Sequence, residues 1–259
     1  MSDQAIQLMH GDCLALMPLI PAGSADMILT DLPYGTTACK WDVVIPFAPL
    51  WEAYKRLVKA RCAVALFGNE PFTSHLRLSN LEWYKYDWAW TKTKASNHVN
   101  AKIRPMNGHE NIAVFSDGTI ANGSPNQMAY YPQGLTRVDR DSYRPSPRFG
   151  GVHGQRPSHQ TTVHQEYTGY PSTAITFANP NNDSLHPTQK PVALLEYLIR
   201  TYTNEGDTVL DSCMGSASTA IACMRTGRKF IGIEKDEAYF RVCQERVRDE
   251  QRQGRLFTV

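Results

Sequence analysis

The sequence lacks the features that would identify a membrane or secreted protein. It contains no apolar stretch of about eighteen residues, the length at which a transmembrane helix is indicated. The first residues, MSDQAIQLMHGD, have neither the basic start nor the apolar run of a signal peptide. We therefore expect a cytoplasmic protein that has no membrane partner.

Metal-binding patterns are also missing. The six cysteines form no C-x-x-C pair, so neither a zinc site nor a disulfide framework is indicated, and we expect them to be small core residues. The eight histidines form no H-x₃-H or H-E-x-x-H pattern. We expect no bound metal.

The chain has enough apolar residues for a large core. Of its 259 residues, 42% are hydrophobic, which suits one main domain. The formal net charge of +2 neither indicates nor excludes a nucleic-acid partner, because local patches of Lys and Arg are what reveal such a partner.

Short apolar runs alternate with helix-like segments in two regions of the chain. Before about Phe115, the pattern predicts a strand around 28–29, a helix over 47–58, a strand over 63–67 and a helix over 71–78. After Pro191 it predicts further elements in the same rhythm, namely a helix over 192–202, a strand over 208–210, a helix over 218–225, a strand over 230–233 and a helix from Glu237. This alternation predicts an α/β fold with a mostly parallel sheet.

The two regions are separated by residues 118–182, which are rich in Gly, Pro, Ser, Asn, Arg and aromatic residues and have no lasting period. So long an irregular stretch indicates either a functional insertion or disorder. We expect a domain organisation of 1–117, an insert over 118–182, and 183–259.

A turn at residues 211–218, DSCMGSAS, follows a predicted strand and opens a predicted helix. Such a glycine turn lets backbone N–H groups approach a ligand at the helix N-terminus. Glu234 ends the next strand about twenty residues later, the offset at which nucleoside-binding units hold ribose hydroxyls. The absence of G-x-G-x-x-G favours a nucleoside cofactor without a pyrophosphate, such as S-adenosylmethionine. An ordinary turn capped by Ser218 and a solvated acid are the alternatives.

A second candidate segment, Asp31-Leu32-Pro33-Tyr34, stands where the strand around 28–29 stops. It offers a carboxylate, a main-chain carbonyl next to a rigid proline, and an aromatic face. That combination suits a planar base carrying an amino group. Because strands of an open α/β sheet bind ligands at their carboxyl ends, Asp31 and Asp211 are expected to face one crevice. The alternative is a simple chain reversal at Pro33 and Gly35.

Together these residues, with the segment HPTQKP at 186–191, resemble the DNA amino-methyltransferases of the N6-adenine/N4-cytosine family, in the beta class. The resemblance covers residues 4 to about 250, and the insert matches only in position. It implies a Rossmann-like methyltransferase fold with a mostly parallel seven-stranded sheet, helices on both faces and a circularly permuted motif order. It also implies S-adenosyl-L-methionine as cofactor, double-stranded DNA as partner, and a homodimer. A later strand and loop of the family, without an assigned role, are resembled by Trp90-Thr91-Lys92, Asn97, Arg104-Pro105 and His109-Glu110.

By resemblance, Thr188 and Lys190 lie near the methionine carboxylate and Asp12 approaches the cofactor's adenine. The predicted catalytic residues are Asp31, Leu32, Pro33 and Tyr34. The predicted cofactor-binding residues are Asp12, Asp31, His186, Thr188, Lys190, Asp211, Met214, Gly215, Ser216, Ala217, Glu234 and Lys235.

The expected reaction is methyl transfer to the N6 of adenine in DNA. The target base is flipped out and stacks on Tyr34, while Asp31 and the Leu32 carbonyl orient its amine for in-line attack. Asp at position 31 favours adenine, since Ser is commoner there in cytosine-N4 enzymes of the family. Cytosine N4, RNA and protein amides remain alternative substrates. Leu32 and Ala217 depart from the family's usual Pro and Gly, so a binding module with weakened catalysis is a further alternative.

The insert is expected to recognise the target sequence. Its arginines are interleaved with aromatic residues, a mixture able to contact phosphates and base edges. A solvated loop is the alternative. The predicted DNA-binding residues are Arg137, Arg140, Arg144, Arg148 and Arg156.

Overall fold

The computed structural model describes residues 5–36, 39, 42–143, 162–179 and 189–256. The chain groups into two units. The first comprises Met1–Tyr131 and Thr173–Val259, and the second comprises Pro132–Ser172. The second unit lies within the segment of the chain in which the sequence places the insert.

Ten strands and six α-helices occur among the described residues. The strands are β1 (Ile6–His10), β2 (Ala25–Asp31), β3 (Val58–Gly68), β4 (Tyr84–Ser96), β5 (Asn107–Phe115), β6 (Thr136–Tyr143), β7 (Thr162–Thr168), β8 (Ala174–Phe177), β9 (Thr208–Asp211) and β10 (Lys229–Glu234). The helices are α1 (Cys13–Leu16), α2 (Phe47–Leu57), α3 (Phe72–Ser79), α4 (Val192–Tyr202), α5 (Ser218–Thr226) and α6 (Glu237–Leu256).

The first unit is built on an eight-stranded sheet in the order β1-β10-β9-β2-β3-β5-β4-β8. Only β5 runs against its two neighbours, and every other pair is parallel. The prediction of a mostly parallel α/β sheet is therefore confirmed. Strands from the two ends of the sequence meet at the centre, where β2 pairs with β9.

The expectation of a seven-stranded sheet is wrong, because the large sheet has eight strands among the described residues. The additional strand is β8, which pairs in parallel with β4 from Ala89 to Lys92. It covers the edge of β4, whose backbone groups would otherwise be unpaired on that side. A strand of four residues is too short to show a lasting period in the sequence.

The second unit is an antiparallel ribbon of β6 and β7, so the segment 118–182 is not irregular throughout as expected. The sequence of β6, TRVDRDSY, contains few apolar residues. The ribbon therefore lacks the apolar alternation from which a half-buried strand is recognised.

Apolar side chains form a core on each face of the large sheet. Along β2, Met27 and Leu29 enter one core while Ile28 enters the other, as the period of two in a strand requires. The first core contains α4, α5 and part of α6, and the second contains α2 and α3. Helices thus cover both faces of the sheet, as the sequence predicts.

Helix α2 illustrates how the sequence determines this packing. Its buried residues Leu50, Tyr54 and Leu57 recur at spacings of four and three, which places them on one helix face. The last turn carries Lys55 and Arg56, where cations favour the negative end of the helix dipole.

The cysteines follow the sequence prediction with one exception. Cys13, Cys62, Cys223 and Cys243 are buried, and Cys213 is half-buried. Cys39 is exposed, so the expectation of a core residue is wrong there. None of the helices described is long and apolar enough to cross a membrane.

Candidate active site

A cavity of about 320 Å³ opens in the first unit at the carboxyl ends of β2, β9 and β10. It lies where the central strands β2 and β9 meet, the usual position of a ligand site in an open α/β sheet. Its volume lies in the range of small-molecule sites. The predicted residues that line it are Asp12, Asp31, Leu32, Pro33, Tyr34, Lys190, Asp211, Met214, Gly215, Ser216, Glu234 and Lys235.

The structure therefore brings the catalytic and cofactor candidates to one cavity from distant parts of the chain. Ala217 belongs to the same turn but is not among the lining residues. His186 and Thr188 lie outside the described residues.

Asp211 fastens the turn between β9 and α5. Its carboxylate accepts hydrogen bonds from the hydroxyl of Thr219 at 2.6 Å and from the backbone N–H of Cys213 at 3.1 Å. Burial raises the pKa of Asp211 to about 7, against these two hydrogen bonds, which favour the charged form.

Glu234 supports the same turn from β10. One carboxylate oxygen accepts from the N–H of Gly215 at 2.9 Å and the other accepts from the N–H of Asp236 at 2.8 Å. Burial raises the pKa of Glu234. The acid predicted to bind ribose thus also fixes the glycine turn that borders the cavity.

The backbone of this turn is left-handed at two positions, with φ of +53° at Gly215 and +59° at Ala217. An L-residue with a side chain pays about 1–2 kcal/mol for this conformation. Ala217 is the N-cap of α5, and among the described residues no side chain caps the helix there. Ser218 and Thr219 of its first turn line the cavity, so the positive end of α5 faces this space.

Two residues that the sequence did not identify, Arg246 and Gln189, hold the turn through side-chain hydrogen bonds. Arg246 on α6 donates to the carbonyl of Ser216 at 2.8 Å and to the hydroxyl of Ser218 at 2.9 Å. The hydroxyl of Ser216 also donates to Gln189 at 3.2 Å. Arg246 lies thirty residues after Ser216, and no local pattern in the sequence connects the two.

Asp12 lines the cavity from the start of α1. One oxygen caps this helix by accepting from the N–H of Leu14 at 3.0 Å, and the other contacts the ammonium of Lys235 at 3.0 Å. The hydrogen bond from Lys235 holds the pKa of Asp12 below its ordinary value.

The Asp-Leu-Pro-Tyr segment begins at the last residue of β2. The carboxylate of Asp31 accepts a hydrogen bond from the hydroxyl of Tyr34 at 2.5 Å on Oδ1 and one from the ammonium of Lys190 at 2.5 Å on Oδ2. The ring of Tyr34 packs on Phe72, with ring centroids 5.0 Å apart. Leu32 is buried and belongs to the second core, and it also lines the cavity.

Asp42 holds the end of this segment. Its two carboxylate oxygens accept from the N–H groups of Gly35 at 2.8 Å and Thr36 at 2.9 Å. Gly35 has φ of +70°, and a Cβ there would lie 2.9 Å from the side chain of Val44. Glycine at this position is therefore required by both the backbone conformation and the close approach.

Lys190, predicted beside the cofactor's carboxylate, lies in a buried row of alternating charges. Its ammonium contacts Asp31 at 2.5 Å and Glu110 at 3.3 Å, and Glu110 also contacts Lys92 at 2.5 Å. Pairing of Trp90 with Glu110 across β4 and β5 places Lys92 close to Glu110. Glu110 precedes the apolar run 112–115 of β5, and no local pattern in the sequence connects it with Lys92 or Lys190.

Burial and pairing oppose each other throughout the row. Burial raises the pKa of Asp31, against the opposing effect of Lys190. Burial alone would lower the pKa of Lys190, but the carboxylates of Asp31 and Glu110 hold it above its ordinary value. Burial alone would raise the pKa of Glu110, and Lys190 and Lys92 hold it low. The row is therefore two ammonium groups matched to two carboxylates.

The predicted DNA-binding arginines that the structure describes belong to the second unit. Arg137 and Arg140 lie on β6 in the second unit, and both are exposed. Arg137 contacts Asp139 at 3.0 Å and Arg140 contacts Gln165 at 3.3 Å. Arg144, Arg148 and Arg156 lie outside the described residues.

A mainly parallel sheet of this order, with the glycine turn at Gly215 and the Asp-Leu-Pro-Tyr segment on one cavity, is the arrangement of a Rossmann-like methyltransferase. The chain belongs to the N6/N4 DNA methylase family, because the model of that family, described as DNA methylase, matches residues 25–245.

Comparison with individual proteins agrees with this assignment. The chain is 30% identical over 263 residues to DNA adenine methyltransferase YhdJ of Escherichia coli (strain K12), covering 95% of this chain and 83% of YhdJ. The crystal structure of the M1.HpyAVI-SAM complex has a TM-score of 0.62 at 23% identity and covers 93% of this chain and 98% of that chain. PvuII DNA methyltransferase, described as cytosine-N4-specific, has a TM-score of 0.65 at 14% identity and covers 96% of this chain and 94% of its own. The last two show a shared fold.

Proposed function

We propose that this DNA methylase transfers a methyl group from S-adenosyl-L-methionine to the N6 of adenine in double-stranded DNA. The observation that carries the proposal is the common cavity, which has the carboxylate of Asp31 at one side and the turn at Gly215 with Glu234 at the other. A nucleoside cofactor and an amine-bearing base can therefore meet in one place.

The cavity fits the cofactor chemically. Glu234, Asp12 and Lys235 offer polar groups for the nucleoside part. The N–H groups at the start of α5, which no described side chain caps, suit the carboxylate of the methionine part. When bound, the cofactor supplies a methyl group on a positively charged sulfonium. Lys190 is the less suited partner for the carboxylate, since its ammonium already contacts Asp31 and Glu110.

The residues of the Asp-Leu-Pro-Tyr segment orient the amine. The carboxylate of Asp31 and the carbonyl of Leu32 accept the two hydrogens of the amino group, and the ring of Tyr34 stacks on the base. The Tyr34 hydroxyl also donates to Oδ1 of Asp31 in this structure, so the amine shares this acceptor oxygen with Tyr34 or takes the place of its hydroxyl. Holding the amine in line with the methyl group supplies most of the rate. The nitrogen–methyl bond would form as the sulfur–methyl bond breaks, and the amine would release one proton to solvent.

The base has to leave the DNA duplex to reach this cavity, at a cost of a few kcal/mol of lost stacking. Adenine is favoured over cytosine by the Asp at position 31 and by the likeness to YhdJ, which is described as a DNA adenine methyltransferase. N4-cytosine methylation is the second candidate, supported by the shared fold with the cytosine-N4-specific PvuII enzyme.

The test is transfer of labelled methyl from S-adenosylmethionine to mixed-sequence duplex DNA, followed by nucleoside analysis. Labelled N6-methyladenine is the expected product. Labelled N4-methylcytosine alone would overturn the adenine assignment. Cofactor binding without any transfer to DNA would instead favour a binding module with lost catalysis, a function that the left-handed Ala217 makes worth testing.

We further propose that the segment 118–182 recognises the target sequence and that Arg137 and Arg140 contact DNA. Both side chains are exposed on β6, and arginine suits phosphates and base edges. Replacing both with Gln should weaken DNA binding and reduce its dependence on salt. The proposed homodimer is tested separately by the mass of the protein in solution.

A further inference from the structure

The loop between β4 and β5, residues 97–106, exposes large apolar side chains. Val99 is 95% exposed, Ile103 is 82% exposed and Met106 is 44% exposed. A single exposed apolar residue needs no explanation, but several on one loop indicate an interaction surface. Lys102 and Arg104, two further exposed residues of the same loop, add positive charge.

The loop is an ordered turn. The N–H groups of Ile103 and Arg104 both donate to the carbonyl of Asn100 at 3.0 Å, and the N–H of Ala101 donates to the carbonyl of His98 at 3.1 Å. Asn97 begins the turn in the left-handed region, with φ of +72°. The backbone therefore holds Val99 and Ile103 outward.

The direction of the strands places this loop at the same end of the sheet as the cavity, where the carboxyl ends of β2 and β4 lie. The strand register gives the level of each residue. Asp31 on β2 pairs with Phe67 on β3, and Phe67 pairs with Ile112 on β5. Ile112 in turn pairs with Trp88 on β4. Since β4 runs in the same direction as β2, it continues past this level to Ser96, and β5 returns from Asn107. The β4–β5 hairpin thus projects beyond the level of Asp31 by the length of β5 from Ile112 to Asn107, which is about 17 Å.

We infer that the loop 97–106 is a second DNA-contacting element, in which Val99 and Ile103 contact bases beside the flipped target and Lys102 contacts the phosphate backbone. A two-stranded ribbon fits into a DNA groove, and apolar side chains are used by DNA-binding proteins to fill unstacked steps. This inference rests on the proposed function, because it takes DNA as the substrate of the neighbouring cavity. The positive charge of the loop, from Lys102 and Arg104, matches DNA better than it matches the same positively charged loop of a second copy.

The test compares the wild type with the double variant Val99→Ser and Ile103→Ser in the full chain. The matched control is Leu78→Ser with Leu81→Ser. Those two leucines are 68% and 62% exposed. They shortly precede the start of β4, so they lie at the end of the sheet opposite to the cavity. We measure affinity for a mixed-sequence duplex, labelled methyl transfer, affinity for S-adenosylmethionine and mass in solution.

The loop variant is expected to lose at least tenfold in DNA affinity and in transfer, with cofactor affinity within twofold of wild type and the control unchanged. Lys102→Gln is expected to lower the slope of log affinity against log salt by about one. A loop variant equal to the control, with an unchanged salt slope for Lys102→Gln, would overturn the inference. A dimer that dissociates in the loop variant while DNA affinity stays constant would overturn it in favour of a second copy. If the wild-type protein binds DNA but does not methylate it, the proposed function would be overturned, while the inference about the loop would still be decided by the DNA affinities.

Discussion

The hydroxyl of Tyr34 donates to Oδ1 of Asp31 at 2.5 Å, so the residue proposed to stack on the base also occupies an acceptor proposed for the amine. The hydroxyl and the amine therefore have one acceptor oxygen in common, and loss of the hydroxyl leaves that oxygen entirely to the amine. The contributions of the hydroxyl and of the ring are separable by mutation.

Tyr34→Phe should keep the stacking surface and remove the competing hydroxyl. We expect a kcat within a few-fold of wild type and an unchanged or lower KM for DNA. Tyr34→Ala removes the ring, and the loss of base stacking of about 1–3 kcal/mol should reduce kcat/KM roughly 5- to 150-fold. Steady-state methyl transfer measures both. Equal defects in the two variants would contradict the proposed stacking role.

Lys190→Met should affect both stability and the pH dependence of transfer. It leaves the buried carboxylates of Asp31 and Glu110 with one ammonium, that of Lys92, so a loss of about 3–5 kcal/mol of stability is expected. Lys190 opposes the raised pKa of Asp31, so its removal should raise that pKa further. The acidic limb of the kcat profile should then move to higher pH.

The matched control for that experiment is Lys59→Met, which breaks a surface pair with Asp26 at 2.7 Å. Exposed pairs contribute about 1 kcal/mol or less, and the kcat profile should not move. An acidic limb of Lys190→Met that coincides with the wild-type limb would show that Asp31 is not the group titrating there.

Asp211→Asn should change how stability depends on pH. The pKa of Asp211 is about 7 in the folded protein, whereas the ordinary value for an aspartate, which applies to the unfolded chain, is 3.8. The folded state therefore favours the protonated acid. The cost of ionising Asp211 in the folded state therefore destabilises the wild type progressively as pH rises from about 4 to 7. Above pH 7 this cost has reached its full value.

The stability of Asp211→Asn relative to wild type should accordingly increase across this interval, by a few kcal/mol in order of magnitude. Denaturant unfolding at pH 4, 6 and 8 measures it. Asp249→Asn, at an exposed position on α6, is the control. A constant difference between Asp211→Asn and wild type would show that Asp211 is ionised over the whole interval.

Ala217→Gly should be tolerated far better than Ala222→Gly. Both alanines are fully buried, and both variants lose a methyl group and gain unfolded-state freedom. Ala222 lies inside α5, where Gly costs about 1 kcal/mol. Ala217 has φ of +59°, and Gly there relieves about 1–2 kcal/mol of strain.

Thermal or denaturant unfolding should therefore separate the two variants by about 2 kcal/mol or more. Affinity for S-adenosylmethionine in Ala217→Gly should be equal to or tighter than in the wild type. An equal loss of stability in the two variants would mean that the backbone at Ala217 is not strained.

The sequence predicts the strand ends at Asp31, Asp211 and Glu234 well, because each acid directly follows an apolar run and the rule for open α/β sheets brings such ends together. The bounds predicted for α4 also agree with the structure. Local patterns are enough for these features.

The partners of Lys190 could not be predicted in the same way. Its contact with Glu110 depends on the register between β4 and β5, and the position of Arg246 over the glycine turn depends on how α6 packs. Neither is encoded in neighbouring residues. The strand β8 escaped prediction because four residues at a sheet edge carry no period.

The central pairing of β2 with β9 has a consequence for how the protein folds during synthesis. The carboxylate of Asp26 accepts from the N–H of Thr208, 182 residues later, so contacts at the middle of the sheet are distant in the chain. Distant contacts slow folding. A ribosome must therefore release most of the polypeptide before the cavity can exist, and truncated nascent chains leave the edge of β2 open to association with other chains.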